Sequence, residues 1–91
     1  RRYSDVYIKN FFMTKTPGSK YEGSAVGGFW YSLTPGGQEI GKVGTGFSDD
    51  MRKDMFSNPN KYIGKRVTIE HQGQYEASKQ YRTPAFKKFS L

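Results

Sequence analysis

A chain of 91 residues is long enough for one domain and too short for two. It holds no cysteine, so neither disulfides nor thiolate-bound metal can brace it, and no apolar run approaches the roughly 20 residues that span a membrane. The formal net charge is +7 with a pI near 9.7, which points toward a polyanionic partner, with a merely soluble basic surface as the plain alternative.

The first strand is expected over Arg1–Phe12, where Val6 and Ile8 alternate with Tyr7 and Lys9. Its start, directly behind Arg1 and Arg2, suggests a domain cut from a longer chain. Met13–Tyr21 reads as a loop around Thr16-Pro17-Gly18-Ser19. Lys15 and Lys20 flank that tip, which either presents two ammonium groups to phosphates or is a solvated turn. Glu22–Leu33 reads as a second strand, with Phe29, Tyr31 and Leu33 on one face and Trp30 and Ser32 on the other. Gly27-Gly28 predicts a bulge or bend in it. Trp30 serves either as a base-stacking platform or as core or rim packing.

Thr34-Pro35-Gly36-Gly37 predicts a hairpin turn into a third strand, Gln38–Gly44. Next come Thr45, Gly46 and Phe47, then a short helix. Ser48 is a good N-cap, Asp49 and Asp50 suit the positive end of the helix dipole, and Met51 and Met55 share a face. Asn58-Pro59 ends the helix. The glycine turn is neither a P-loop, because Phe47 follows its last glycine, nor a dinucleotide fingerprint, because Asp49 stands where the third glycine belongs. It reads as a tight strand-to-helix connection.

Lys65–His71 is expected as the fourth strand, with Val67 and Ile69 facing in and Arg66, Thr68 and Glu70 facing out. Gln72–Gln80 is a polar connection. Tyr81–Phe89 is the last strand, with Phe86 and Phe89 toward the core and Pro84 marking a strand start or sheet edge. His71 is the single histidine, expected at the surface or a strand edge. With no cysteine and no carboxylates at ligand spacing, no metal site and no Ser-His-Asp set is predicted. The order is therefore all-β with one short helix: three strands, a helix, two strands. That is the connectivity of a five-stranded Greek-key OB-fold barrel, here as a single domain over 1–91. An SH3-like barrel is the alternative.

Basic charge is segregated. Residues 6–21 carry Lys9, Lys15 and Lys20 without an acid, and residues 77–91 carry Lys79, Arg82, Lys87 and Lys88 without an acid. Asp49, Asp50 and Asp54 gather on the helix. This is the pattern of a polyanion-binding surface.

Two stretches, Lys42-Val-Gly-Thr-Gly-Phe-Ser48 and Arg82-Thr-Pro-Ala-Phe86, resemble the C-terminal OB domain of ATP-dependent DNA ligases. Lys20-Tyr-Glu-Gly23 is similar to the basic loop and glycine before that domain's second strand. The resemblance covers essentially the whole chain. It implies an enzyme that transfers AMP from ATP, with Mg2+, to a lysine, then to the 5′-phosphate of a DNA nick, which it seals in replication and repair. The domain itself is implied to hold no cofactor. Its implied partners are nicked duplex DNA and the adenylation domain of the same enzyme, in a cytoplasmic setting with no membrane.

Arg82 matches the arginine implied to approach the ATP phosphates. The family's last motif continues into further basic residues and an Asp-Lys pair, whereas here Lys87 and Lys88 follow Phe86. Either those lysines take over that role, or the motif is truncated, or the adenylation role is weakened. Lys15, Lys20, Lys42, Lys65 and Arg66 are the candidates for DNA phosphates, with Gly44, Thr45 and Gly46 letting backbone approach nucleic acid. The family's Lys-x-Asp-Gly nucleophile is absent from the sequence, so the chain alone is expected to be inactive. The alternatives are a free-standing single-strand-binding OB module, the OB domain of an RNA ligase or capping enzyme, and a protein-interaction barrel.

Overall fold

A computed structural model describes residues 2–13 and 26–90. The strands are β1 (Arg2–Met13), β2 (Val26–Ser32), β3 (Gly41–Val43), β4 (Arg66–His71) and β5 (Ala85–Phe89). Helix α1 (Asp49–Ser57) and a one-turn 3₁₀ helix (Pro59–Lys61) lie between β3 and β4. The strands form one antiparallel sheet in the order β3-β2-β1-β4-β5.

The element order matches the sequence expectation, but the sheet is open between β3 and β5 rather than closed into a barrel. The cause lies in β3, which is three residues long instead of the seven spanned by Gln38–Gly44. Before it, Ile40 contributes a single backbone bond to Tyr31 O (2.8 Å). After it, Gly46 turns to φ +95°. Little regular edge remains for β5 to pair with. Single contacts bridge the seam instead: Phe86 N–H donates to Thr45 O (2.9 Å), Tyr81 N–H to Tyr31 Oη (2.9 Å), and Gln80 Nε2 to Ile40 O (3.0 Å).

Three irregularities curve and re-aim the strands. The β1–β2 register skips Lys9 and then Gly27, and the β4–β5 register skips Lys87. A bulge at Gly27 is the bend expected from the glycine pair. Neighbouring Gly28 is held by packing, because a Cβ there would meet Val43 O from across the sheet. The core is Val6, Ile8, Val26, Phe29, Tyr31, Val43, Met55, Tyr62, Val67 and Ile69. Phe86 packs against it half-buried, while Phe89 is 37% exposed and so is not the core residue anticipated. Phe89 does lie on the inner side, opposite Val67, but at the end of the sheet, where Tyr62 and Phe86 cover it only in part.

Helix α1 forms as its sequence dictates. Ser48 Oγ accepts from Met51 N–H (3.1 Å), Met55 is fully buried, and Met51 packs partly against the core. Asp54, on the same helix, accepts hydrogen bonds from Tyr62 Oη, Lys61 Nζ (3.0 Å) and Asn58 Nδ2 (2.8 Å). These donors hold its carboxyl down at about 2, with the Tyr62 hydroxyl the largest cause. The bond fastens the helix to the following turn.

Candidate nucleic-acid interface

The two stretches that carry the family resemblance meet across the open seam. Phe47 stacks on Phe86, with centroids 5.3 Å apart and planes at 22°, and meets Phe29 edge-on at 5.7 Å. Gly46 sits against the backbone of Phe86 so closely that a Cβ would fall 2.2 Å from Phe86 O. Its positive φ adds strain for any other residue. Gly46 therefore serves the contact with β5. Gly44 is exposed, with only ordinary contacts at its Cβ position, and Thr45 is exposed beside it.

Arg52 locks this corner. Its guanidinium donates to Gly27 O (2.5 Å), Val26 O (3.3 Å) and Gly44 O (3.1 Å), and lies 5.1 Å from the Phe47 ring centroid. The carbonyls it satisfies belong to the Gly27 bulge and to the glycine turn, two places where regular pairing fails. Sequence reading gave Arg52 no role.

Arg82 lies outside β5, in the connection that precedes it, and is exposed. The last strand begins at Ala85, directly after Pro84, and Tyr81 makes only an isolated bridge with Gln74. The backbone of Arg82 is fixed in both directions: its N–H donates to Gly73 O (2.8 Å) and its carbonyl accepts from Gln72 N–H (3.0 Å). Its guanidinium rests 5.5 Å from the Tyr75 ring centroid. Thr83, the next residue, has φ +46°, an uncommon conformation for a β-branched residue. A planar cation on a fixed backbone, exposed at the surface, is suited to bidentate capture of phosphate oxygens.

Lys87 and Lys88 owe their placement to the β5 bulge. Alternation would send one of them inward. With Lys87 skipped in the ladder, Phe86 opposes Ile69, Lys88 opposes Thr68, and both lysines are exposed. Lys87 Nζ lies 3.6 Å from Glu70. Lys88 and Arg66 line a shallow cavity of about 320 Å³ with Asp5, Thr68, Phe89 and Ser90. Asp5 Oδ1 accepts from Thr68 Oγ1 (2.7 Å) and Ser90 Oγ (2.8 Å), and those bonds hold its carboxyl below the usual range, with Arg66 and Lys88 adding to the effect. Lys65 Nζ lies 5.8 Å from the Phe89 ring centroid. Lys42, on the outer face of β3, lies 5.2 Å from the Phe12 ring and 5.4 Å from the Trp30 ring.

The candidates thus fall in three places: Arg82 on the connection before β5, Lys87 and Lys88 on that strand with Lys65 and Arg66 near its far end, and Lys42 with the glycine turn. Lys15 and Lys20 lie outside the described residues. Among the described residues, no cluster of three or more His, Asp or Glu side chains could hold a metal ion, and no helix is long and apolar enough to cross a membrane.

His71 corrects an expectation. It is 5% exposed rather than at the surface, because it continues the inward-facing alternation of Val67 and Ile69. Its Nδ1 accepts from Gly73 N–H (3.0 Å), Nε2 lies 2.8 Å from Ser4 Oγ, and its ring centroid is 4.3 Å from that of Tyr81.

Comparison with known proteins places these observations. The family model of the DNA ligase OB-like domain matches residues 17–89. Among solved structures, a Chlorella virus DNA ligase-adenylate superposes with a TM-score of 0.70 at 26% identity, covering 98% of this chain and 30% of that one. A Lig E DNA ligase superposes with a TM-score of 0.68 at 26% identity, covering 99% of this chain and 31% of that one. A second structure of the Chlorella virus ligase-adenylate gives a TM-score of 0.73 at 23% identity, a likeness of fold. No curated protein matches. The chain spans less than a third of the length of these ligases, and it belongs to the DNA ligase OB-like domain family.

Proposed function

We propose that this chain is the OB domain of an ATP-dependent DNA ligase, working with an adenylation domain that supplies the Lys-x-Asp-Gly nucleophile. In the first step it closes on the nucleotide, and Arg82 binds the ATP phosphates as the lysine of the adenylation domain attacks the α-phosphate and pyrophosphate departs from it. In later steps it lays its basic surface on nicked duplex. The observation that carries this reading is the seam. The glycine turn and the Arg82–Phe86 segment pack together through Phe47, Gly46 and Phe86, while Arg82 itself stays exposed on a fixed backbone.

The chemistry needed from this domain is charge stabilisation, for which positioned cations in a water-poor site are effective. A magnesium ion would compensate phosphate charge in the complete enzyme. The DNA phosphates fall to Lys42, Lys65 and Arg66, with Lys15 and Lys20 on the preceding loop, while Lys87 and Lys88 follow Arg82 in the last motif. A solved neighbour is described in terms of DNA binding with a minimal scaffold, in keeping with a small domain that contributes to the DNA contact.

The test is the salt-dependent affinity of the chain for nicked duplex, intact duplex and single-stranded DNA. Duplex binding should weaken steeply with salt, with single strands bound no better. Lys42→Ala should lower the salt slope by about 1 if that lysine touches a phosphate. A preference for single strands, lost on Trp30→Ala, would replace this reading with a stacking module. Absence of binding to any DNA at low salt would contradict an independent DNA-contact role.

A further inference from the structure

The reading of Arg82 leaves His71 unexplained. A buried histidine with both ring nitrogens engaged is not needed for packing alone, since an aromatic hydrocarbon could fill that space. Its geometry fixes its protonation. The backbone N–H of Gly73 can only donate, so Nδ1 carries a lone pair, and the proton of the neutral ring sits on Nε2, donated to Ser4 Oγ. A second proton would have to go to Nδ1, where it would confront the Gly73 N–H.

Gly73 is the residue to which Arg82 is tied. Its carbonyl accepts from Arg82 N–H, and its flanking residue Gln72 donates to Arg82 O. The Arg82 side chain starts out over Gly73, since a Cβ built on Gly73 would lie 3.7 Å from Arg82 Cδ. Gly73 itself has φ +131° and is buried, so the chain turns there in a conformation glycine favours. One hydrogen bond, donated by Gly73 N–H to His71 Nδ1, thus holds the residue that accepts from the arginine's N–H and that follows Gln72, the donor to its carbonyl.

We propose that His71 is the positioning residue for Arg82: as the neutral ring it pins Gly73 and so presents the guanidinium to phosphate, and protonation releases that pin. The proposal rests on the phosphate role given to Arg82 above. The surroundings favour the neutral ring. From β1, Arg2 and Ser4 face it. From the connection, the Tyr81 ring lies against it and Arg82 is near, and Glu70 precedes it on its own strand. Burial, with the Arg2 charge adding, holds the His71 pKa below the ordinary value, and the Gly73 N–H donated to Nδ1 likewise favours the neutral ring. The Arg82 connection is therefore held in place at neutral pH and is released on acidification.

The experiment measures the rate of lysine-adenylate formation against pH in the ligase that contains this chain, for wild type, His71→Asn, His71→Phe and Arg82→Ala. Asparagine keeps an acceptor near the position of Nδ1 and cannot titrate, whereas phenylalanine fills the space and removes the acceptor. In the wild type the rate should fall on acidification with a midpoint below about 6.5, the ordinary histidine value. His71→Asn should lose that component while staying within about threefold of wild type at neutral pH. His71→Phe should slow adenylation at neutral pH by on the order of tenfold or more, as displacement of a positioned group does, while sealing of pre-adenylated nicks changes far less. Persistence of the wild-type acid component in His71→Asn, or wild-type adenylation by His71→Phe, would overturn the proposal. Arg82→Ala separates the two claims. If it adenylates normally, the phosphate role of Arg82 falls. If it is slow and His71→Asn keeps the wild-type profile, only the role of His71 falls.

Discussion

The glycine turn at the seam and the arm that carries Arg82 sit side by side and are built in opposite ways. At the turn, two special residues are consumed by structure, Gly46 by the Phe86 backbone and Phe47 by the Phe86 and Phe29 rings, and Arg52 takes the nearby carbonyls. On the connection that carries Arg82, the backbone is fixed, and among the described residues the guanidinium meets one exposed tyrosine ring. Tyr75 is 51% exposed, so it shelters the cation little. A family signature can therefore contain two kinds of residue, one that closes the fold and one that the closed fold presents.

Substitutions should separate the two regions. Gly46→Ala places a methyl group into the Phe86 backbone at a positive φ, and should cost roughly 3 kcal/mol or more, read as a loss of denaturant midpoint. Retention of the midpoint would mean the turn can move off β5. Arg52→Leu leaves the bulge and turn carbonyls without their donor and should cost about 2 kcal/mol. A change below about 0.5 kcal/mol, the usual range of surface substitutions, would show that the corner does not depend on this residue.

Asp54→Asn acts on the helix rather than the seam, and its effect is on pH dependence. Because the folded carboxyl titrates at about 2 against 3.8 for the ordinary group, its contribution is complete above the ordinary value and is lost as pH falls from there through about 2. The variant should be less stable at neutral pH and show a shallower loss on acidification across that window. An unchanged acid limb in thermal melts would contradict the assignment. The smallest stability effect is expected for Arg82→Ala, within about 0.5 kcal/mol, since its side chain closes nothing. A larger loss would erase the contrast between the two regions.

Legibility in the sequence followed the range of the interactions. Helix α1 was readable because its cap, its acidic first turn, its buried methionine and its proline stop all act within a few residues. Gly27-Gly28 announced a bulge for the same local reason. The length of β3 was not readable, because it depends on where Tyr31 and Phe86 lie in space. Nor was the bulge at Lys87, which alone allows Phe86 and Phe89 to share the inner side and both lysines to stay out. Arg52 gave no signal, as the Gly27 carbonyl it serves lies 25 residues earlier. His71 did leave one: it stands two residues after Ile69 and four after Val67, on the face already assigned inward. The basic candidates were found as residue types, but their division among three places needed the fold.

The central claim is that the exposed guanidinium of Arg82, and not the turn beside it, acts on the nucleotide. The most direct measurement compares, for Arg82→Ala in the complete ligase, the rate of adenylate formation with the rate of sealing a pre-adenylated nick. The account predicts a fall in the first step on the order of 10², with sealing much less affected and the melting temperature unchanged. Equal loss in both steps, or no loss in the first, would contradict it.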